Sequence, residues 1–375
     1  MTAPPVWPGD HAAVRALWPL RAGVAYVNHG AFGATPRPVL DEQQRWRERL
    51  EEQPFDFLMR TLPDAVERAR AVVAEFLGAD PAGLAFVSNA TTGVATVLRS
   101  LVIGSGDRVV VTDHVYPAVE IQLRALGVDL AVVPVDLDAA DPAASVLAAV
   151  DERTRLVVVD AVTSVTALLL PVGAIVAGCR ARGVPCLVDA AHVPGLLPVD
   201  LRALDPDYWT GNLHKWVCAP KGAAVLYVRA ELRDRVRPLV PSTWYEEGYH
   251  RAFDWTGSAD HSPWLAAPAA LELLGELGWK TVRSYGTALA AWGAAHVASV
   301  TGATVPAPPE RHAQMVLVDA GLPSYDAATA CRDELWARHR VEVGATGWRG
   351  RGWLRLSAAP YNSAADYERL AEALA

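Results

Sequence analysis

The segment LVDAAHVPG (residues 187–195) ends an otherwise apolar strand pattern in a carboxylate, Asp189. The segment YWTGNLHKW carries Lys215, 26 residues further on and just beyond the next strand pattern. That separation fits one crossover to a neighbouring parallel strand. In open parallel sheets ligands gather beyond the carboxyl ends of the strands, where both residues would lie. Lysine is the side chain that forms an imine with an aldehyde. A carboxylate facing a heterocyclic ring nitrogen keeps that nitrogen protonated and the ring electron-withdrawing. Pyridoxal 5′-phosphate (PLP) requires both groups. An isolated Asp and Lys at strand ends are more often solvated charges or an ion pair, so the reading depends on further residues.

The chain has only three lysines, Lys215, Lys221 and Lys280, against 31 arginines. Chemistry that needs a primary amine therefore has three places to occur. Leu213, Trp216 and Val217 surround Lys215 in sequence, and desolvation there would lower the amine's pKa. The run SNATTGV (residues 88–94) follows one strand pattern and opens a helix. Its backbone N–H groups, with the Thr91 and Thr92 hydroxyls, would suit a phosphate, although the same residues are ordinary helix caps. In TDHVYPAV, Tyr116 could stack on a planar ring, and His114 is an equal alternative on spacing. Arg355 interrupts the apolar run WLRLSAAP. A substrate carboxylate gripped bidentately would explain a buried guanidinium there, as would an internal ion pair.

Elements that could position these groups follow a βαβα rhythm. Strand patterns fall at residues 84–87, 108–111, 130–135, 156–160, 186–189, 208–211 and 223–228, with helical patterns at 92–101, 117–126, 142–150 and 172–182 between them. Runs of Val and Leu that are apolar on both faces indicate strands buried inside a mostly parallel sheet covered by helices. After about residue 245 the rhythm changes. One long helical pattern runs from 261 to about 300 and an exposed connector covers 301–309. A strand near 314–318, a helix near 327–339, a strand at 352–357 and a terminal helix from 366 complete the chain. The expectation is a large α/β domain over 1–250 and a smaller α+β domain over 251–375, with the first residues packed on the small domain.

Bulk properties exclude several classes. At 51% hydrophobic and 20% charged, the chain can bury a large core. A net charge of -8 argues against a nucleic-acid partner. Cys179, Cys186, Cys218 and Cys331 show no CxxC spacing, and so few cysteines in so long a chain suit a reduced, cytoplasmic protein. The opening residues lack the apolar run of a signal peptide, and polar residues break the one membrane-like stretch near 156–179.

The ordered set VNHGAFGATP, SNATTG, DHVYPA, TSVTALLLPV, VDAAHVPG, TGNLHKW, APKGAAVLYV, WTGSAD and LRLSAAPYNS resembles the class V aminotransferase superfamily, and within it isopenicillin N epimerase-like proteins. The likeness spans residues 28–362. It implies PLP-dependent fold type I, with a seven-stranded sheet, and a homodimer with its sites at the interface. Lys215 then matches the Schiff-base lysine, Asp189 the ring-nitrogen partner, and His192 the histidine beneath the cofactor. Thr91, Thr92, His214 and Asn212 match the phosphate site, and Tyr116 the stacking position. Ser164 matches a contact to the cofactor hydroxyl. Thr256, Gly257 and Ser258 resemble the segment that reaches the neighbouring subunit's phosphate. Arg355 matches the arginine for the substrate α-carboxylate, with Asn28 and His29 beside it.

The chain departs from cysteine desulfurases, because residues 341–352 contain no nucleophilic cysteine. The resemblance thus implies an amino-acid enzyme acting at Cα. Epimerisation, transamination, C–S β-elimination and decarboxylating oxidation remain as outcomes, and an arginine- and alanine-rich composition of this kind is associated with secondary metabolism. Two other classes stand beside it: a metal-dependent hydrolase using Asp189, His192 and His214, which lacks compact ligand spacing, and a cofactor-binding protein without catalysis.

Overall fold

The computed structural model describes residues 2–375. In chain order its strands are β1 (Ala25–Tyr26), β2 (Leu84–Val87), β3 (Arg108–Thr112), β4 (Asp129–Val133), β5 (Thr154–Asp160), β6 (Cys186–Asp189), β7 (Tyr208–Asn212), β8 (Ala224–Val228), β9 (Met315–Val318), β10 (Val341–Glu342), β11 (Gly344–Trp348) and β12 (Arg351–Ser357). The seven strands β2 to β8 form one sheet in the order β2-β8-β7-β6-β5-β3-β4. Only β8 runs against its neighbours; the other pairings are parallel. The expected strands all form, with ends displaced by at most two residues.

Burial on both faces accounts for the apolar strands. Along β5, Leu156 and Val158 join one hydrophobic cluster while Val157 and Val159 join the other. Leu187 and Val188 of β6 divide in the same way, as the two-residue strand period requires. Because β2, β3, β5, β6 and β7 share one direction, their carboxyl ends lie along a single edge of the sheet. That edge carries the site.

The smaller C-terminal unit has a three-stranded antiparallel sheet, β11-β12-β9, packed against helices Trp279–Thr301 and Tyr325–Glu334. The terminal helix Ala364–Leu374 packs on Trp279–Thr301, and a Ser363/Asp366 capping box closes its N-terminus. Trp7, Val14, Trp18 and Val27 belong to this unit's core, and β1 pairs with β10.

One local expectation changes, and one strand appears that no sequence pattern marked. The long helical pattern of residues 261–300 is three helices, Ser262–Leu265, Ala267–Glu276 and Trp279–Thr301. Gly278, at φ +82°, breaks it with a backbone conformation that other residues avoid. Residues 344–348 form β11 without any apolar alternation. Helix Ala267–Glu276 packs on helices Arg37–Glu52 and Leu62–Phe76, beside the large sheet. We therefore propose Gly278, rather than residue 250, as the domain boundary. Among the described residues no helix is long and apolar enough to cross a membrane.

Candidate active site

Five strand ends converge on a cavity of about 360 Å³. The chain leaving β2 contributes Ser88, Asn89 and Thr91, and that leaving β3 contributes Tyr116. Asp160 and Ser164 come from the end of β5, Asp189 and His192 from β6, and Asn212, His214 and Lys215 from β7.

The Lys215 Nζ lies 3.1 Å from His192 Nε2. On the other side of that ring, His192 Nδ1 accepts the Trp216 indole N–H at 3.4 Å. An indole nitrogen only donates, so the neutral imidazole carries its proton on Nε2 and offers it to the lysine. Burial, the Lys215 charge and the Arg355 charge hold the His192 pKa well below its ordinary value. Burial, then the Arg355 charge, lower Lys215 to about 7, against the opposing pull of Asp189. About half of the amine is therefore unprotonated, and able to act as a base, at neutral pH.

Asp189 is buried at the end of β6 and accepts the Ala191 N–H at 3.0 Å. Burial raises its pKa, while that hydrogen bond and the Lys215 charge favour the carboxylate. Across the strand pairing, Asp189 stands in register with Asp160 of β5.

Helix Ala90–Ser100 brings its N-terminal residues, Ala90 and Thr91, to the cavity. Asn212 Oδ1 accepts the Ala90 N–H at 2.8 Å, tying β7 to this helix. Thr91 faces the cavity. Thr92 does not: its hydroxyl lies 2.9 Å from Ser88 Oγ and 3.1 Å from Asn89 Oδ1, within the helix cap. His214 Nδ1 meets the Ala223 carbonyl at 3.1 Å, and burial pushes its pKa down to about 4.

A second cavity of about 910 Å³ adjoins the first and shares Lys215, Tyr116 and Ser164 with it. Arg355 of β12 lines it. One guanidinium nitrogen, Nη1, donates to the Ser164 carbonyl and lies 3.4 Å from Ser164 Oγ, while Nε is buried without a partner. No carboxylate pairs with Arg355 among the described residues, and burial lowers its pKa to about 10. A buried guanidinium without a counter-ion beside an amine suits a ligand carboxylate.

Other expected residues lie elsewhere. His114 is fully buried between Thr166 Oγ1 and the Val135 carbonyl, each 2.7 Å away, and stacks on Trp348. Tyr116, not His114, lines the cavity. His29 is buried beneath the site, with Nδ1 2.8 Å from the Tyr361 hydroxyl and Nε2 3.0 Å from the Lys215 carbonyl. Burial drives its pKa down to about 3. Asn28 does not line either cavity, and its Oδ1 is buried without a partner. Thr256 and Ser258 are exposed, Gly257 is half-buried, and none lines the cavities. Asp189, His192 and His214 belong to no group of potential metal ligands among the described residues.

Asp160 lines the cavity although no sequence pattern assigned it a role; Ser88 and Asn89 of the SNATTGV run line it too, as does Lys221, whose Nζ donates to the Gly33 carbonyl at 3.1 Å. The signal that marks Asp189, an apolar strand ending in Asp, is equally present in LVVVD before residue 161.

The class V aminotransferase family model matches residues 26–370. The chain belongs to this family. It is 31% identical to isopenicillin N epimerase of Streptomyces clavuligerus over 94% of both chains. It is also 31% identical to putative L-cysteine desulfhydrase 1 of Oryza sativa subsp. japonica, over 94% of this chain and 83% of that protein. Among solved structures it is similar to a lysine variant of C-DES, a cystine C–S lyase, with glycine covalently linked to its PLP cofactor. The TM-score is 0.86 at 22% identity, covering 96% of this chain and 98% of that one. The cysteine desulfurase CsdA of Escherichia coli gives a TM-score of 0.78 at 20% identity, covering 97% of each chain.

This class V enzyme is PLP-dependent, and its own residues fit the cofactor. Lys215 supplies a depressed-pKa amine in the cavity, and Asp189 a buried carboxyl group that lines it too. Thr91 and the N-terminus of helix Ala90–Ser100 supply donors suited to a phosphate.

Proposed function

We propose that this enzyme eliminates a sulfur substituent from Cβ of an L-amino acid with a bulky side chain. The observation that carries the reading is the Lys215 amine, lowered to about 7 in a cavity it shares with the unpaired Arg355. Bound PLP would supply an electron-withdrawing ring that acidifies the substrate's Cα–H bond. Arg355 binds the α-carboxylate and orients Cα toward Lys215. The Lys215 amine takes the Cα proton, and the Cβ–S bond breaks as the thiolate leaves. Hydrolysis of the released enamine then gives pyruvate and ammonia. Asp189 holds the ring-nitrogen end, Tyr116 the ring face, and Ser164 fixes Arg355 from behind.

Four features favour this outcome. Elimination needs only one base. None of the four cysteines lines either cavity, so no thiol is placed to take sulfur from a substrate, which speaks against desulfurase chemistry. The adjoining cavity of about 910 Å³, walled by Tyr325 and Trp348, exceeds what cysteine itself would fill. Relatives named cysteine desulfhydrase agree with C–S cleavage.

Epimerisation is the second reading. It needs a proton donor on the face opposite Lys215, and Tyr116 borders the same two cavities. The test is incubation of the holoenzyme with S-substituted L-cysteines in deuterated water, following pyruvate, thiol and chirality. Thiol and pyruvate in equal amounts support elimination; recovered D-isomer deuterated at Cα, without pyruvate, would replace it with epimerisation.

We further propose a homodimer with its active sites at the interface. The largely exposed residues 256–258 lie outside their own chain's cavities, which suits a role at a second copy's phosphate.

A further inference from the structure

Asp160 is a buried acid that none of the steps above uses. It ends β5 as Asp189 ends β6, and the two are direct partners in the parallel pairing. In-register neighbours on strands about 4.8 Å apart project to the same side, and both residues line the same cavity. Each is buried, at 3% and 4% exposure. Their surroundings differ. Asp189 has the Lys215 charge and the Ala191 N–H to favour its carboxylate. Asp160 feels the like charge of Asp189, and what opposes it is backbone, its own N–H and that of Tyr116; no cationic side chain does so. Two carboxyls in such a place do not both ionise.

We propose that Asp160 is a positioning residue for Asp189: it is a neutral carboxylic acid that donates its proton to the Asp189 carboxylate, leaving the pair one negative charge for the cofactor's ring nitrogen. Burial and then the Asp189 charge hold the Asp160 pKa well above its ordinary value, in keeping with this division. The Tyr116 backbone N–H is near enough to act on the Asp160 carboxyl, and Tyr116 borders the same cavity. The inference rests on Asp189 facing the ring nitrogen.

The test compares Asp160→Asn, Asp160→Leu and Asp189→Asn by PLP dissociation constant and by the pH midpoint of the bound cofactor's absorbance band, with circular dichroism to check folding. Asp160→Asn keeps a neutral donor, so its PLP affinity stays within about threefold and its pH midpoint does not move. Asp160→Leu removes the donor and weakens PLP binding about 10- to 100-fold. A midpoint shift of about one unit or more in Asp160→Asn would show that Asp160 carries charge, and would overturn the inference even if the Leu variant failed to fold. Unchanged affinity in a folded Asp160→Leu would overturn it as well. Asp189→Asn is expected to weaken PLP binding and shift the midpoint. No change there would overturn the Asp189 assignment and the inference with it, whereas a shift in both Asn variants would remove only the inference.

Discussion

His192 stands between Lys215 and Trp216, with its Nε2 3.1 Å from the lysine amine and its Nδ1 3.4 Å from the indole nitrogen. The indole fixes the tautomer, and the tautomer directs a donor at the lysine lone pair. A protonated amine could not accept that hydrogen bond. The contact therefore belongs with a lysine whose pKa burial and Arg355 have lowered to about 7.

The first expected outcome concerns pH. In cofactor-free protein the rate of PLP capture follows the fraction of unprotonated Lys215. It should rise about tenfold per pH unit below 7 and level off above it. Stopped-flow absorbance measures this directly. Linkage gives the sign for stability. The folded pKa lies below the unfolded value of 10.5, so the unfolded chain binds more protons between the two. The Lys215 contribution therefore makes the cofactor-free fold more stable as pH rises from about 7 toward 10.5, and has no slope below both values. Lys215→Met should abolish that slope.

Substituting Arg355→Lys removes the planar fork while keeping a cation. KM for the amino acid should rise about 10- to 100-fold, the value of a charge-assisted hydrogen bond, with a smaller change in kcat. Stability should not fall, because the guanidinium is buried with Nε unpartnered. Steady-state kinetics and thermal melts together check both halves.

His29 joins two units rather than meeting substrate. His29→Ala leaves the Tyr361 hydroxyl without its partner and the Lys215 carbonyl with the Cys218 N–H alone, and opens space in a fully buried site. The loss should be about 2–4 kcal/mol. Urea unfolding of the holoenzyme measures it; a loss under about 0.5 kcal/mol would return His29 to the surface-like class of substitutions.

Gly33 approaches the backbone of residues 214 and 215. At φ +71° a side chain is strained, and its Cβ would run into the His214 carbonyl and come within 2.9 Å of Lys215 Cα. Gly33→Ala should cost about 3 kcal/mol or more and displace Lys215, so cofactor retention falls with stability. Denaturant midpoint and bound PLP per chain are the two readouts.

The large sheet was legible because its strands are buried on both faces, which writes them as uninterrupted Val and Leu runs. Asp189 stood out as the polar end of such a run, and Lys215 as one of only three lysines, just beyond the next strand. Asp160 ends an identical run, yet it sits in a long apolar stretch where a single carboxylate looks like an interruption. β11 has no signal of its own: Gly344 and Gly347 break the alternation, and pairing with β12 makes the strand. The role of His29 depends on Tyr361 and on the Lys215 carbonyl, contacts across 332 and 186 residues that no local pattern encodes. Likewise His114 and Tyr116 are two residues apart, and only the fold assigns one to the core and the other to the cavity wall.

The central claim is that Lys215 is the amine that carries the cofactor. Borohydride reduction of the holoenzyme, followed by peptide mass mapping, tests it most directly. The account predicts a single pyridoxyl adduct, on Lys215. An adduct on Lys221 or Lys280, or a reduced protein carrying none, would contradict it.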